Sequence, residues 1–408
     1  MKILYFHQHF TTPDGSGGTR SYEFAKNLIS KGHKVTLVCG SYQGGNTGLT
    51  CEFKKNSRSG YVQGIRVIEL NIPYSNKDNL IYRSIKFIHY SIKSLFIVYK
   101  NDFDILFATS TPLTAAIPGI FSKLIKKGKF VFEVRDLWPE LPKAMGVIEN
   151  PIILYLLDTL ETIAYKSADG LIGLSPGIVE GIKKKSGNSK KVVMIPNGSD
   201  LDLFNFIQDD QSIEALGSIH ESDFIALYAG THGKANGLLA VAKAAKELDN
   251  MKQSNIKIVL IGDGSEKRDL LEYKARYMLE NLIFIPPLPK KKLGSWMQRS
   301  NLGLQILSNI PEFYYGTSPN KFFDYLSSGL PILVNYPGWL SEIIEKEEVG
   351  YFADPKEPES LVTKIIEAYA NKDDQSIGKN SLKLATNQFN RKNLFLNFHD
   401  FLQEIHHA

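Results

Sequence analysis

The chain has 408 residues, too many for one ordinary hydrophobic core and about right for two domains of roughly 200 residues each. Apolar residues make up 43% and charged residues 22%, and the two cysteines are too few for a disulfide scaffold, so the composition is that of a globular protein with reduced thiols. The net charge of +5 divides unevenly, because residues 1–198 hold 26 Lys and Arg against 15 Asp and Glu, whereas the remainder holds 22 against 28. A basic first half indicates an anionic partner, either nucleic acid or a phospholipid surface.

Short apolar runs alternate with helical patterns along the whole chain. Helices 21–31 and 238–249 follow glycine-containing loops, and strands separated by helices predict parallel βαβ units. We therefore predict two doubly wound, Rossmann-like α/β domains in tandem, with ligands at the carboxyl ends of the strands in a cleft between them. The predicted strands are 3–6, 34–38, 105–108, 130–134 and 170–174 in the first half, and 226–228, 256–261, 282–285, 303–305 and 331–334 in the second.

The start of the chain and the junction of its halves set the expected boundaries. The segment Met1–Phe6 runs directly into polar residues without a cleavage-site pattern, so we expect no signal peptide and a cytoplasmic protein. No uncharged apolar stretch is long enough for a membrane span. The connector 193–200 contains Pro196 and Gly198, which predicts an N-terminal domain over 1–197 and a C-terminal domain over 198–387.

A cationic, aromatic segment over residues 79–100 bears on partners. If it is helical, Arg83, Lys86, Lys93 and Lys100 fall within one sector of about 100°. Such a helix can lie on an anionic bilayer, and the alternative is a core-packed helix with a solvated basic face. A second cluster comprises Lys123, Lys126, Lys127 and Lys129. Since the chain has no recognisable nucleic-acid-binding signature, we expect a membrane surface and no nucleic acid.

The segment 318–331 places a lysine and a carboxylate on the first turns of a helix that Gly329 and Pro331 end. Free amides and the helix dipole at such an N-terminus attract phosphate, and Lys321 adds a full positive charge. Asp324, one turn later, can accept hydrogen bonds from ribose hydroxyls. The alternative is an amphipathic helix with a solvated Lys and Asp.

Several motifs fall in one order along nearly the whole chain. With them the sequence resembles the retaining glycosyltransferases of family 4, and most closely the bacterial branch that builds O-antigen, capsule and colanic-acid-type polysaccharides, including L-fucosamine transferases. The resemblance implies the GT-B fold, in which the terminal helix, here about 388–408, returns to the first domain. The matching pieces are 16–20 (Ser-Gly-Gly-Thr-Arg), 135–140 (Arg-Asp-Leu-Trp-Pro-Glu), 174–177, 195–200, 203–204, 228–230, 261–264 and 321–331.

The resemblance implies a donor site at the ends of several strands. Gly17 and Gly18 would let backbone amides approach the diphosphate, with Arg20 in reach of the same anion. The alternatives are a tight strand-to-helix turn and a surface salt bridge of Arg20. The expected donor-binding set also includes Gly230, Thr231, His232, Lys234, Asn236, Thr317, Ser318, Asn320 and Lys321.

The chain departs from the family pattern in two places. Thr231 and Asn236 stand where many relatives have the Arg and Lys that neutralise the leaving diphosphate, which leaves Lys321 as first choice and Lys234 and His232 as further candidate cations. Asp324 occupies the second place of the paired-glutamate motif, whereas the first falls on Gly316. Glu312 stands four residues too early, and we expect backbone amides of 315–317 to line that pocket instead.

Arg135 and Asp136 follow a strongly predicted strand and should project from its carboxyl end. Arg135 stays protonated and can stabilise charge or hold an acceptor, whereas Asp136 is the better candidate to orient or deprotonate the acceptor hydroxyl. The alternative is that Asp136 caps the following turn.

The resemblance implies a front-face reaction with retention, in which catalysis rests on positioning and on stabilising the departing charge. We expect a UDP-sugar donor, no cofactor and no metal, and a polyprenyl-diphosphate-linked saccharide as acceptor at the cytoplasmic face of the inner membrane. An N-acetylated 6-deoxyhexosamine is the expected sugar. The alternatives are a UDP-N-acetylglucosamine 2-epimerase-like enzyme and a catalytically silent nucleotide-sugar-binding scaffold.

Overall fold

Parallel β-sheets form the centres of both halves of the chain. The computed structural model describes residues 1–75, 78–125, 128–187, 189–204, 219–357 and 359–408. By its contacts the chain separates into a first unit, residues 1–196, 316–318 and 392–408, and a second unit, residues 197–315 and 319–391.

The first unit contains an eight-stranded sheet. Its strands are β1 Lys2–Phe6, β2 Lys34–Tyr42, β3 Ser57–Val62, β4 Ile65–Tyr74, β5 Ile105–Thr109, β6 Lys129–Val134, β7 Gly170–Gly173 and β8 Lys191–Met194. The spatial order is β3-β4-β2-β1-β5-β6-β7-β8, and only the β3/β4 pair is antiparallel. Its helices are α1 Arg20–Ser30, α2 Leu80–Lys100, α3 Ile117–Ile125, α4 Glu140–Ala144, α5 Pro151–Ser167 and α6 Pro176–Ser186.

The second unit contains a six-stranded sheet in which every neighbouring pair is parallel. Its strands are β9 Phe224–Ala229, β10 Ile256–Ile261, β11 Leu282–Ile285, β12 Leu302–Gln305, β13 Ile332–Val334 and β14 Gly350–Phe352, in the order β11-β10-β9-β12-β13-β14. Its helices are α7 Leu201–Phe204, α8 Leu239–Asn250, α9 Lys267–Tyr277, α10 Lys290–Arg299, α11 Glu312–Gly316, α12 Asn320–Ser327, α13 Trp339–Glu347, α14 Ser360–Ala370 and α15 Ser376–Asn387. Gly316, the last residue of α11, is assigned to the first unit.

The ten predicted strands are all present, because a strand covered on both faces is apolar throughout. In β9 every residue of the run FIALYA is buried. The strands β3, β4, β8 and β14 were not predicted from the sequence. The first of these alternates between half-buried and exposed positions and contains a glycine, so its sequence lacks the continuous apolar run on which the prediction relied.

The last helix, α16 Arg391–His407, supplies part of the core of the first unit. Phe398 and Leu402 are fully buried there, and the ring of Phe398 lies 4.7 Å from that of Phe24 and 5.0 Å from that of Phe107, between centroids. The hydrophobic core of the first unit is therefore assembled from both ends of the chain.

A close contact fixes α12 against its sheet. The ring of Tyr325 on α12 covers Gly303 on β12, where a Cβ atom would lie 2.6 Å from the ring. The Tyr325 hydroxyl also contacts the backbone of β9, accepting from the Ala229 N–H and donating to the Leu227 carbonyl. Glycine at position 303 thus lets the first turn of α12 lie close to the carboxyl end of β9.

Candidate active site

Two strand-end loops of the second unit lie directly against each other. A Cβ atom on Gly262, after β10, would overlap the carbonyl oxygen of Gly230, after β9. The N–H of Gly230 donates to the Ile261 carbonyl, and the N–H of His232 donates to the Asp263 carbonyl, both at 2.9 Å. Backbone can pack this closely only where side chains are missing, so the glycines join the two loops into one surface of polar backbone.

Lys321 lies beside this surface, on the first turn of α12. Its Cε would be 3.0 Å from a Cβ atom on Gly230, and its Nζ is 4.8 Å from the ring centroid of Tyr228. Burial lowers the pKa of Lys321 to about 8, so the ammonium is still mostly charged at neutral pH. A cation, a helix N-terminus and glycine backbone therefore meet at one place, which suits a phosphate group.

Among the predicted donor residues near Lys321, Asn320 begins α12 and its buried Oδ1 has no hydrogen-bond partner in the described part of the chain. Thr317 and Ser318 are largely buried and group with the first unit. The space around Gly316, where the family pattern has a glutamate, is open, since a Cβ atom there would meet nothing within 4 Å.

His232, one of the predicted cations, lies in the protein interior. Its side chain is fully buried, and burial, reinforced by the charge of Lys267, lowers its pKa to about 4. Neither ring nitrogen has a hydrogen-bond partner among the described residues. Burial therefore favours the neutral imidazole in this structure, and a role of His232 as a replacement for the missing positive charge stays a prediction.

The rest of the β9–α8 loop is more open. Thr231 is exposed, and its carbonyl accepts a hydrogen bond from the Tyr228 hydroxyl at 2.8 Å. Lys234 and Asn236 lie on a short 3₁₀ turn, Lys234–Asn236, in which Lys234 is exposed. The structure thus brings Gly230 and Lys321 together and leaves Lys234 toward solvent.

Asp324 belongs to a buried network of ions in the second unit. It is 6% exposed, and its Oδ1 lies 2.9 Å from the Nζ of Lys290. Lys290 also approaches Asp200 at 3.4 Å, and Asp200 pairs with the Nε of Arg391 at 2.6 Å. Burial raises the pKa of Asp324. A ribose bound at Asp324 would share its carboxylate with Lys290.

Lys290 and Arg391 were not among the residues predicted from the sequence. A signal exists for Lys290, because 290–292 is a run of three lysines that opens a helix after the strand β11 and the Pro-Pro-Leu-Pro segment 286–289. Arg391 lies at the start of the terminal helical pattern, and no neighbouring residues in the sequence indicate that it is buried in an ion pair. Its pairing with a residue nearly 200 positions earlier depends on the tertiary fold.

Arg20 has a structural role in this structure, which corrects the prediction that it contacts the diphosphate. The side chain is 1% exposed and pairs with Glu133, to which its Nε and Nη2 donate at 3.0 and 2.9 Å. Its remaining hydrogen bonds go to the carbonyls of Ile195 and Pro196. The alternative of a surface salt bridge is also wrong, since Glu133 is fully buried.

Arg135 and Asp136 follow β6, as predicted from the sequence. The Arg135 Nε donates to the Thr109 hydroxyl at 2.8 Å and lies 3.3 Å from Glu133, so Glu133 is held between two guanidinium groups. Burial by itself raises the pKa of Glu133, but Arg20 and Arg135 outweigh it and keep the carboxyl ionised.

Asp136 is half-buried, and its Oδ2 accepts a hydrogen bond from the Thr111 hydroxyl at 2.9 Å. Burial raises its pKa, which makes its carboxylate a stronger base. The helix α4 begins after Pro139 without a side-chain cap, so the alternative that Asp136 caps this helix is wrong.

Gly17 and Gly18 lie in a half-exposed loop that precedes α1. A Cβ atom on Gly17 would come within 2.9 Å of Thr11, and the Ser16 N–H donates to the Gly44 carbonyl. The same loop contributes Gly15 to a cavity of about 680 Å³ in the first unit. The walls of this cavity carry aromatic and ionic side chains, including Tyr42, Arg58, Glu69, Tyr74 and Lys86.

Both halves of the chain match family models of glycosyltransferases. Residues 17–203 match the model described as Glycosyltransferase Family 4, and residues 209–384 match Glycosyl transferases group 1. Each match covers a little under half of the chain, and the two follow one another along most of it. The group 1 match contains the Gly230, Lys321 and Asp324 positions, and the family 4 match contains Arg135 and Asp136.

Two curated relatives are similar at low identity. The chain is 23% identical over 218 residues to lipopolysaccharide 1,2-N-acetylglucosaminetransferase of Salmonella typhimurium, over 51% of this chain and 55% of that protein. It is 20% identical over 302 residues to an uncharacterized glycosyltransferase of Methanocaldococcus jannaschii, over 74% of this chain and 75% of that protein. The chain thus spans about half the length of the first relative and three quarters of the second.

Solved structures share the fold over nearly the whole chain. Sucrose-phosphate synthase from Thermosynechococcus elongatus matches with a TM-score of 0.77 and 16% identity, over 99% of this chain and 98% of that chain. HepE from Anabaena in complex with UDP matches with a TM-score of 0.69 and 16% identity, over 99% of this chain and 100% of that chain. WaaG, a glycosyltransferase involved in lipopolysaccharide biosynthesis, matches with a TM-score of 0.69 and 15% identity, over 98% of this chain and 99% of that chain. The predicted GT-B fold is confirmed.

Proposed function

We propose that this chain transfers a sugar from a UDP-sugar to a lipid-linked saccharide, with retention, in the synthesis of a bacterial surface polysaccharide. The observation that carries the proposal is Lys321, which lies on the first turn of α12 against the glycine backbone after β9. This arrangement suits a diphosphate and belongs to a glycosyltransferase domain. The Anabaena relative has been solved with UDP and with UDP-glucose, which favours UDP over other nucleotides.

Catalysis rests on stabilising the leaving diphosphate. The Lys321 ammonium and the amides that open α12 supply positive charge where negative charge develops as the glycosidic bond breaks. In its neutral form His232 can only donate or accept a hydrogen bond. The chain's own cation takes the role that a metal has in other transferases, so the proposed reaction needs no divalent ion.

The acceptor belongs to the family 4 domain in this proposal. Asp136, with its raised pKa, orients the acceptor hydroxyl or receives its proton, and Arg135 stabilises the charge that develops. The cavity beside Gly15 has aromatic and ionic walls, which suit a saccharide. We propose an N-acetylated 6-deoxyhexosamine as the transferred sugar and the cytoplasmic face of the inner membrane as the site of reaction.

The donor site is tested by thermal stabilisation of the protein with UDP, GDP, ADP and dTDP, in the presence of EDTA. A UDP-selective rise in Tm that Lys321→Ala and Asp324→Ala reduce is the expected result. Lys346→Ala is the matched control, because this lysine is 81% exposed on α13 and should leave the UDP effect unchanged.

Product analysis separates the remaining alternatives. A UDP-sugar that is isomerised without any acceptor indicates an epimerase-like enzyme, whereas UDP binding without turnover indicates a silent scaffold. No stabilisation by any nucleotide at concentrations well above about 1 mM would contradict the donor site itself.

A further inference from the structure

Three neighbouring helices of the first unit expose an unusual number of large apolar side chains. The helix α3 packs beside both α2 and α5. Of the 25 large hydrophobic side chains that are exposed in the described part of the chain, 15 lie on these three helices. Exposed apolar residues are normally scattered singly, and a contiguous group marks a surface that meets an apolar partner.

The exposed residues of α2 form one continuous row. Ile81, Ile85, Ile88, Ile92, Phe96 and Tyr99 follow each other at intervals of three or four, which puts them on one face of the helix. Their exposed fractions run from 49% to 72%. The opposite face, with Phe87, Tyr90, Ser94 and Val98, packs into the unit. The helix therefore has a second apolar face that the first unit leaves uncovered.

The same surface continues onto α3 and α5. Leu124 at the end of α3 is 79% exposed, and α5 adds a group of which Ile152 at 69% and Tyr155 at 70% are the most open. We use "apolar surface" for the row on α2 together with Leu124, Ile125, Ile152, Ile153, Tyr155, Leu156 and Ile163.

Cations border the apolar surface. The exposed Lys93 and Lys100 lie seven residues apart on α2, and this lysine row is about 100° around the helix from the apolar row. Lys86, seven residues earlier, pairs with Asp78 at 2.7 Å. The helices α2 and α3 contain no Asp or Glu, and the exposed Asp158 of α5 pairs with Lys185. Lys126 and Lys127 of the predicted second basic cluster lie outside the described residues. The surface is thus apolar in its middle and positive along one edge.

We propose that the apolar surface inserts into the boundary between headgroups and acyl chains of an anionic bilayer, with the lysine row among acidic headgroups. Isoleucine, leucine and phenylalanine favour the acyl side, tyrosines favour the interface, and lysines bind acidic lipids. A second copy of the chain fits less well, because neither α2 nor α3 has a carboxylate to neutralise the lysines of the other copy. No described helix is long and apolar enough to cross a membrane, so the contact is interfacial.

The membrane contact rests on the proposed function in one respect. If the acceptor is lipid-linked, its lipid would lie in the same bilayer that the apolar surface contacts. Lys86 lies both on α2 and in the wall of the cavity beside Gly15, so the helix that carries the apolar row also forms part of the cavity wall. An acceptor saccharide could reach the cavity while its lipid stays in the membrane.

The test is sedimentation of the full chain with sucrose-loaded vesicles of phosphatidylcholine and phosphatidylglycerol in a two-to-one ratio. We expect Ile85→Glu with Ile92→Glu to reduce vesicle binding at least about tenfold, because both apolar contacts become charged. The matched control is Leu271→Glu with Leu396→Glu. These leucines are 42% and 44% exposed on α9 and α16, two helices that do not contribute to the apolar surface, and their replacement should leave binding unchanged.

Salt separates insertion from simple charge attraction. Wild-type binding should persist in part at about 0.5 M NaCl, whereas the contribution of the lysine row, removed in Lys93→Gln with Lys100→Gln, should matter only at low salt. All variants change exposed side chains, so their Tm values should equal that of the wild type.

The inference is overturned if the wild type stays in the supernatant, or if the Glu variant binds vesicles as well as the wild type does. It is also overturned if the wild type is a dimer in solution that the Glu variant dissociates, since a second copy then covers the surface. UDP stabilisation measured on the same samples tests the donor site independently. Vesicle binding without UDP binding would remove the proposed function and leave this inference standing.

Discussion

At the scale of single residues, the environment of Lys321 decides what this side chain can do. An exposed lysine stays charged throughout the accessible pH range, but burial against Gly230 and Tyr228 lowers the pKa of Lys321 to about 8. Its charge is therefore present at neutral pH and lost in mild alkali.

UDP binding should weaken as the pH rises through 8. The protonated ammonium attracts the diphosphate, the neutral amine does not, and the bound anion shifts the midpoint upward because it favours the charged form. Calorimetric titration of UDP between pH 6.5 and pH 9.5 measures this effect, with a loss of about tenfold expected at the alkaline end. In Lys321→Arg the profile should be flat over this range, since a guanidinium remains protonated. Equal alkaline weakening in the arginine variant would assign the titration to another group.

Glu133, in contrast to Lys321, keeps its charge although it is buried, because two guanidinium groups lie beside its carboxylate. The carboxylate is fully buried between Arg20 and Arg135 and also accepts from the Thr109 hydroxyl at 2.7 Å. The group connects the ends of β5 and β6 to the start of α1, and four of the five N–H groups of Arg20 donate to Glu133, Ile195 and Pro196.

Glu133→Gln should lower the free energy of unfolding by about 3 kcal/mol, because it leaves Arg20 buried without a counter-charge. Urea unfolding followed by circular dichroism provides the measurement. Glu404→Gln is the control, because Glu404 and Lys191 form an exposed surface pair whose loss should not shift the urea midpoint. A loss below about 1 kcal/mol in Glu133→Gln would show that the buried pair is compensated elsewhere.

At the scale of the elements, the packing of α12 on β12 sets the position of the candidate donor site. Tyr325 lies over Gly303, and the same aromatic ring reaches the backbone of β9 through its hydroxyl. Lys321 is one helical turn earlier on α12. Any movement of the helix away from the strand therefore moves Lys321 away from Gly230.

Gly303→Ala should both destabilise the protein and weaken UDP binding. The new methyl group would lie 2.6 Å from the Tyr325 ring, and such overpacking costs about 1–3 kcal/mol while it displaces α12. Thermal unfolding and UDP titration of the same variant measure the two effects. The control is Gly294→Ala on α10, which adds the same methyl group at a position where the nearest side chain would be 3.6 Å away. This variant should be as stable as the wild type or slightly more stable. Normal UDP affinity in Gly303→Ala would separate this packing from the donor site.

At the scale of the whole molecule, each unit has its own hydrophobic core, and the core of the first unit depends on the end of the chain. Phe398, Leu402 and Ile405 of α16 lie among residues of the central strands β1, β5 and β6. The second core, around β9 and β10, contains no residue of α16.

Deletion of residues 392–408 should therefore loosen the first unit selectively. Amide hydrogen exchange should show faster exchange in β1 and β5, whose covering side chains are lost, and little change in β9 and β10. The control is deletion of 406–408 alone, which removes half-buried and exposed residues and should change neither set. Equal acceleration in both units would contradict the assignment of α16 to the first core.

The sequence alone determined the parallel α/β architecture, because buried strands of parallel sheets are apolar throughout and helical patterns alternate with them, some directly after glycine-containing loops. Local signals also placed Lys321 and Asp324 on the first turns of one helix, ended by Gly329, as observed in α12. These features depend on residues close together in the chain, so the local pattern was sufficient.

Only the tertiary structure decided which polar residues are available to a ligand. Arg20 is occupied by Glu133 across 113 positions, Asp324 shares its carboxylate with Lys290, and His232 is neutral because the surrounding protein removes water from it. For the segment 79–100 the sequence left a bilayer contact and a core-packed helix as alternatives, because an apolar row on a helix looks alike whether or not a neighbour covers it, and the exposed row on α2 is seen only in the structure. Whether a side chain is buried or paired depends on the residues that surround it in the folded protein, and many of these residues are far away in the sequence.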